Sequence, residues 1–463
     1  MKNQKIQNKE QRTKNIDHRL HDTDYRPKTI IQSTLPIKIL ALGSLFLTLL
    51  CSPAFAGEAS KPDTGDTAWI LISAALVMLM TPGLALFYGG MVRRKNVLGT
   101  IMHSFIAIAI ISLQWILIGY SLSFGPDVSG FIGSLEWLGL NGVGLEPSPY
   151  APTVPHLAFM IYQGMFAVIT PALISGAFAE RMKFSAYVLF IILWSTLVYD
   201  PVAHWIWGGG WLSKLGVVDF AGGLVVHVTS GISALAAALI IGHRKGYLRD
   251  SMTPHNLPMT VMGTGILWFG WFGFNAGSAL SSGGLSTMAF VTTHIGAVAA
   301  TVTWIIIEWM HRGKPTMFGA ATGSIAGLAT ITPAAGFVGP MPALAIGIAA
   351  GCICYLALNS KTKLGYDDSL DAFGVHGVGG IIGSIGVGLF ASSAINGVNG
   401  LFYGNSQQLF NQLMGIVAVA LYSFVLCVII LKVVDALVGL RVDERSEEQG
   451  LDITMHGEEG YFL

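Results

Sequence analysis

Apolar residues in this chain come in long unbroken runs, not in the two-residue alternation of half-buried strands. From Thr67 onward eleven runs approach the roughly 20 residues that cross a bilayer as helix. They cover approximately 67–91, 98–124, 157–179, 185–207, 220–242, 257–280, 285–310, 317–337, 341–359, 371–393 and 409–437. The pattern predicts an all-α, polytopic membrane protein with eleven transmembrane helices. Composition agrees: the chain is 52% hydrophobic and 11% charged, where soluble domains carry about 25% charged residues.

The polar connections carry a second signal. Arg93, Arg94, Lys95, Arg181, Lys183, Arg244, Lys245, Arg249, Arg312, Lys314, Lys361 and Lys363 all follow odd-numbered spans. The C-terminal end adds Lys432, Arg441 and Arg445, whereas the other side holds only Lys61 and Lys214. The positive-inside rule then expects the N-terminus outside and the C-terminus in the cytoplasm of a cell with a multi-pass inner-membrane protein. Net charge is zero, which points to no nucleic-acid partner. Cys51, Cys352, Cys354 and Cys427 lie within apolar runs. The Cys-Ile-Cys at 352–354 is too close for a zinc pair, so they read as packing residues, with no metal and no cofactor expected.

Residues 1–56 read as a targeting segment: a basic n-region, a short apolar stretch at 39–50, and Ala54-Phe55-Ala56 as a small-x-small cleavage site. The alternative is that 37–56 stays as an extra span. Residues 57–437 form the membrane domain and 438–463 a tail, whose acidic, polar composition alone reads as disorder.

Spans five and ten each open with an Asp, then Gly, then His: Asp219-Phe-Ala-Gly-Gly-Leu-Val-Val-His227 and Asp371-Ala-Phe-Gly-Val-His376. Elements five spans apart run in opposite directions, which suggests a five-plus-five inverted repeat with a site near the midplane and one extra C-terminal helix. Ionisable groups inside a bilayer are costly and need a reason. His227 lies roughly 12 Å below the outer start of its helix, and His376 is at a similar height above the inner start of its own if that helix begins near Asp368. Neutral imidazoles offer one donor and one acceptor each, so two at matching depth can line a pore together, bond a small polar solute or relay a proton. The bland alternative is that each bonds a backbone carbonyl, and this is the reading kept for His103, His204 and His294.

Topology brings Tyr162, Gln163 and Phe166 of span three, Trp207 of span four, and Phe274 and Ser278 of span six to the outer side. Aromatic faces with a hydroxyl hold a small cation without a formal charge, and a desolvated cation–π contact is worth about 2 kcal/mol. For Trp207 and Trp211, a headgroup belt and a binding cage both stay open. Asp219 reads as a cap on the helix N-terminus that also adds negative field at the mouth, and Asp371 as the equivalent cap of span ten.

Thr81-Pro-Gly-Leu-Ala-Leu-Phe-Tyr-Gly-Gly90, Asp219-Phe-Ala-Gly-Gly223, Gly270-Trp-Phe-Gly-Phe-Asn-Ala-Gly-Ser278 and Asp371-Ala-Phe-Gly-Val-His-Gly377 resemble the ammonium transporter (Amt/Mep/Rh) family, bacterial Amt branch, from about Asp66 onward. The resemblance implies a homotrimer with one hydrophobic pore per protomer and no enzymatic activity. It implies that Phe166, Trp207 and Ser278 recruit ammonium, that Phe166 and Phe274 form a gate, and that His227 and His376 are the twin pore histidines. Trp271 and Thr332 would line the path, with accessory roles for Asp219, Tyr162 and Gln163. Two positions depart from the family pattern: Tyr162 stands in place of phenylalanine and Met165 in place of a small residue. The tail segments Val438–Val442, Gly450–Asp452 and His456–Glu458 also resemble the family, which implies a cytoplasmic tail that packs under the trimer and docks a P-II-type regulatory protein. Two competing readings are a sensor that signals through its tail with little flux, and a gas or water channel.

Overall fold

The computed structural model describes residues 61–461, so the expected targeting segment lies outside the described residues. Among the described residues ten helices are long and apolar enough to cross a membrane, and an eleventh apolar helix is shorter. In chain order they are α1 (Thr64–Met91), α2 (Arg94–Phe124), α3 (His156–Phe178), α4 (Phe184–Leu215, interrupted at 207–210), α5 (Gly223–Ile241), α6 (Leu257–Gly277), α7 (Gly284–Arg312), α8 (Met317–Ile331), α9 (Pro340–Leu364), α10 (Phe373–Phe390) and α11 (Ser406–Val438). The strands among the described residues are two short hairpins in the α2–α3 connection, Asp127–Val128 with Ile132–Gly133 and Pro147–Ser148 with Ala151–Pro155.

α8 is short because its apolar run does not stay helical. Residues 332–338 leave the helix as turns around Pro333 while remaining almost wholly buried. Irregular backbone at membrane depth is tolerated when protein satisfies it. Here the Pro333 carbonyl accepts from the Phe220 amide at 3.2 Å, and the Ala335 carbonyl from the Thr292 hydroxyl at 2.7 Å.

The helix packing has the expected internal symmetry. α1 packs on α6, and α5 on α10. Exchanging each helix for the one five spans later maps the remaining neighbours onto each other: α1–α2 onto α6–α7, α1–α3 onto α6–α8, α2–α3 onto α7–α8, α2–α4 onto α7–α9, and α3–α5 onto α8–α10. α11 stands outside the scheme, against α4, α5 and α10.

Where α5 crosses α10, two glycines remove the side chains that would hold them apart. A Cβ on Gly231 would lie 2.1 Å from the Gly377 amide nitrogen, and one on Gly380 would lie 2.6 Å from the Gly223 carbonyl and 3.0 Å from the His227 Cβ. The two positions are 149 residues apart, the same separation as His227 and His376.

The basic loops gather at one end of the bundle and are bound together by buried charge. Glu180, 1% exposed, accepts from the Arg93 amide at 2.7 Å and pairs with Arg93 and Arg244. Burial raises the Glu180 carboxyl, but Arg244 and Arg93 outweigh it and hold it below its usual value. Arg244 in turn forks onto Asp367 at 2.8 and 2.9 Å.

The tail is not the disordered segment its composition suggests. Glu447 accepts from Arg441 at 2.7 Å and from the Lys245 amide at 2.6 Å. Asp452 accepts from the Gly99 amide, and Asn96 from the Leu451 amide, each at 2.8 Å. Its acids are partners for the basic loops, which is why composition misreads it.

The α5–α10 crossing has a direct test. Gly231→Ala should cost about 1–3 kcal/mol or more by overpacking and lower the melting temperature of detergent-purified protein. Gly265→Ala, where a Cβ meets nothing within 4 Å, should leave it within error of wild type.

A candidate transport path

Two carboxylates set the starts of the crossing helices. Asp219, 6% exposed, accepts from the amides of Gly222 and Gly223 on one oxygen at 2.9 and 2.7 Å, and from Leu224 and Val225 on the other at 2.7 and 3.1 Å. These are amides that a helix N-terminus leaves without partners. At α10 the cap is Asp368, not Asp371. Asp368 accepts from the Ala372 and Phe373 amides at 3.1 and 2.8 Å. Asp371 has left-handed backbone (φ 62°) and pairs with Lys361 instead. Asp219 precedes His227 by eight residues and Asp368 precedes His376 by eight, so the equal spacing was the usable signal. Each helix then opens with a π-type turn, Gly223–Val228 and Phe373–Gly377, that carries its histidine.

The two rings meet at the crossing. Nδ1 of His376 lies 3.2 Å from Nδ1 of His227, with ring planes 16° apart. One Nδ1 must carry a proton and the other must not, so the neutral pair holds opposite tautomers. One ring then offers an Nε2 acceptor and the other an Nε2–H donor. The His227 Nε2 is buried without a hydrogen-bond partner. Both rings line a cavity whose other walls are Met80, Leu84, Ile169, Leu173, Val226, Leu267, Trp271, Phe274 and Ile325. The lining contains no carboxylate. Trp271 lies parallel to His227 at 5.6 Å. Thr332 is one layer back: it accepts from the Trp271 indole at 2.9 Å and gives its own proton to the Leu328 carbonyl at 2.7 Å.

Phe274 closes this cavity at the end away from the basic loops. Its ring lies 4.2 Å from that of Phe166, and both are 1% exposed. Beyond them opens a vestibule lined by Gln163, Trp207, Asp219, Ser278, and Phe124 and Tyr150 from the α2–α3 side. Trp207 stands edge-on to Phe166 at 5.8 Å and gives its indole proton to the Asp219 carbonyl at 2.9 Å. It therefore faces the vestibule, whereas Trp211 packs against Trp205. Tyr162 is fully buried behind Ser278, with 3.1 Å between their hydroxyl oxygens. Phe124, Tyr150 and the aliphatic wall carried no sequence signal, since each reads as ordinary core. His204 is structural, bonding the Ser123 carbonyl and Asp127 at 3.0 and 2.9 Å. Among the described residues no cluster of His, Cys, Asp or Glu could hold a metal ion.

An open aromatic vestibule, a closed pair of rings and an apolar bore within a helical bundle are the parts of a multi-pass membrane transport protein. Residues 68–461 match the Ammonium Transporter Family. The ammonium transporter of Bacillus subtilis is 53% identical over 400 residues, 86% of this chain and 98% of that one. The crystal structure of Saccharomyces cerevisiae Mep2 superposes with a TM-score of 0.79 at 38% identity, covering 83% of this chain and 88% of that one. A solved sensor Amt protein gives the same TM-score at 30% identity, covering 85% and 98%. The chain belongs to the ammonium transporter family.

Asp219→Ala would leave four helix-start amides unsatisfied, each costing about 1–3 kcal/mol if it stays buried. The expected outcome is a large fall in melting temperature and in folded yield. Normal folding with lost uptake would show that the charge, not the cap, is what matters.

Proposed function

We propose that the chain carries ammonium across the inner membrane by separating it into ammonia and a proton. Ammonium is recruited where Phe166 and Trp207 present aromatic faces and Ser278 an oxygen, with Asp219, Tyr162 and Gln163 in accessory roles. The Phe166–Phe274 pair acts as a gate, and ammonia passes His227 and His376 beside Trp271. The observation that carries this reading is the hydrogen-bonded histidine pair at 3.2 Å in a cavity without a carboxylate. A bare cation at the membrane centre costs from about 3 to over 10 kcal/mol, and nothing in that lining offsets the cost. A solute that sheds its charge avoids it. The opposite tautomers give the proton a donor and an acceptor to move through, which makes transport electrogenic. Methylammonium, smaller by one N–H and larger by one methyl, is the expected surrogate substrate.

The basic face is cytoplasmic on this reading and the vestibule periplasmic, as the loop charges support. The protein works as a homotrimer, and its docked tail presents the surface for a P-II-type partner. A second reading, an ammonium sensor with little flux, is favoured by the likeness to the sensor Amt protein.

Current recordings on proteoliposomes pulsed with ammonium discriminate between them. Wild type should give saturable currents, and His227→Ala and His376→Ala should abolish them. Unchanged currents in both variants would remove the pore assignment, and negligible wild-type current in a folded, ammonium-binding protein would favour the sensor.

A further inference from the structure

Ser278 holds its place through a fully buried neighbour, Tyr162, whose hydroxyl touches three groups at once. The Tyr162 oxygen lies 2.9 Å from the Phe274 carbonyl, 3.1 Å from the Gly273 carbonyl and 3.1 Å from the Ser278 oxygen. The Ser278 hydroxyl is also 2.9 Å from the Phe274 carbonyl. A carbonyl can only accept, so the one proton Ser278 has goes to that carbonyl or to the Tyr162 oxygen. The Phe274 carbonyl is near the end of α6, where the Ser278 amide turns to the Asn275 carbonyl at 3.1 Å. It belongs to the set that a helix C-terminus leaves open, and two hydroxyls satisfy it.

With its proton committed, Ser278 faces the vestibule as an acceptor only. Tyr162 gives its single proton to the carbonyls or to Ser278, so at least one Ser278 lone pair stays open in either case. The same side chain braces the gate. Its ring packs edge-on against Phe166, one turn along α3, at 5.0 Å, while its hydroxyl holds the backbone of Phe274. Gly277 makes the room: a Cβ there would lie 2.7 Å from the Tyr162 oxygen.

We propose that Tyr162 is a positioning residue that fixes Ser278 as a hydrogen-bond acceptor in register with the Phe166–Phe274 pair, and so sets the preference for ammonium over its methylated forms. This rests on the reading of Phe166, Trp207 and Ser278 as the recruitment site. An ammonium ion has an N–H to aim at a fixed oxygen from any orientation, and each methyl removes one. Freeing the oxygen weakens the ion with most donors most.

The test is Tyr162→Phe, which keeps the ring and deletes only the hydroxyl. In proteoliposome currents the KM for ammonium should rise about three- to tenfold, the range of one lost hydrogen bond. The effect should fall more on KM than on maximal current, and the ratio of methylammonium to ammonium KM should narrow. Tyr162→Phe combined with Ser278→Ala should lose no more than Ser278→Ala alone, because the phenol acts through the serine. An unchanged KM in Tyr162→Phe alongside a raised KM in Ser278→Ala would overturn the inference and leave the recruitment site standing. Additive losses would overturn it too. If Ser278→Ala and Trp207→Ala both leave KM unchanged, the recruitment site itself falls and this inference with it.

Discussion

The backbone contact between α5 and α10 is the constraint on which the site depends. Helices in lipid gain no hydrophobic drive from pairing, so close approach has to come from small residues and van der Waals contact. Gly231 and Gly380 supply it in a pseudo-symmetric pair, each lying against the other helix's main chain. A side chain at either position would push the helices apart by more than the tolerance of the 3.2 Å contact between the rings. The imidazole pair is thus a property of the crossing and not of either helix alone.

The remaining parts of the path depend on the same frame. The caps at Asp219 and Asp368 start both helices eight residues before their histidines. The Asp219 carbonyl then holds Trp207 over Phe166. Thr332, at the point where α8 breaks down into turns, holds Trp271 beside His227. Trp207, Trp271 and the two histidines are each held by a residue from another segment of the chain, so the vestibule, the paired phenyl rings and the bore are one packed unit.

Much of this was legible in the sequence because a bilayer allows few solutions. Apolar runs near 20 residues can only be helices there, and a histidine inside one is conspicuous. What was not legible has physical reasons. Hydropathy does not distinguish helix from buried turn, so the run to residue 337 concealed the end of α8 at Ile331. Asp371 was favoured as a cap by its nearness to His376, whereas the equal eight-residue spacing belongs to Asp368. The acids of the tail looked solvated because the basic loops that bind them lie hundreds of residues away in sequence. Met80, Leu84, Leu173 and Ile325 wall the bore, yet a wall leucine and a core leucine read alike.

The capping carboxylates have an electrical consequence for the two portals. A helix start carries about half a positive charge, and α5 and α10 begin at opposite ends of the passage. Uncapped, both entrances would repel an arriving cation before any aromatic face could attract it. Each buried carboxylate accepts the free amides and offsets that half charge at its own end. The same device stands at either end, so neither helix presents an uncompensated positive start to the path.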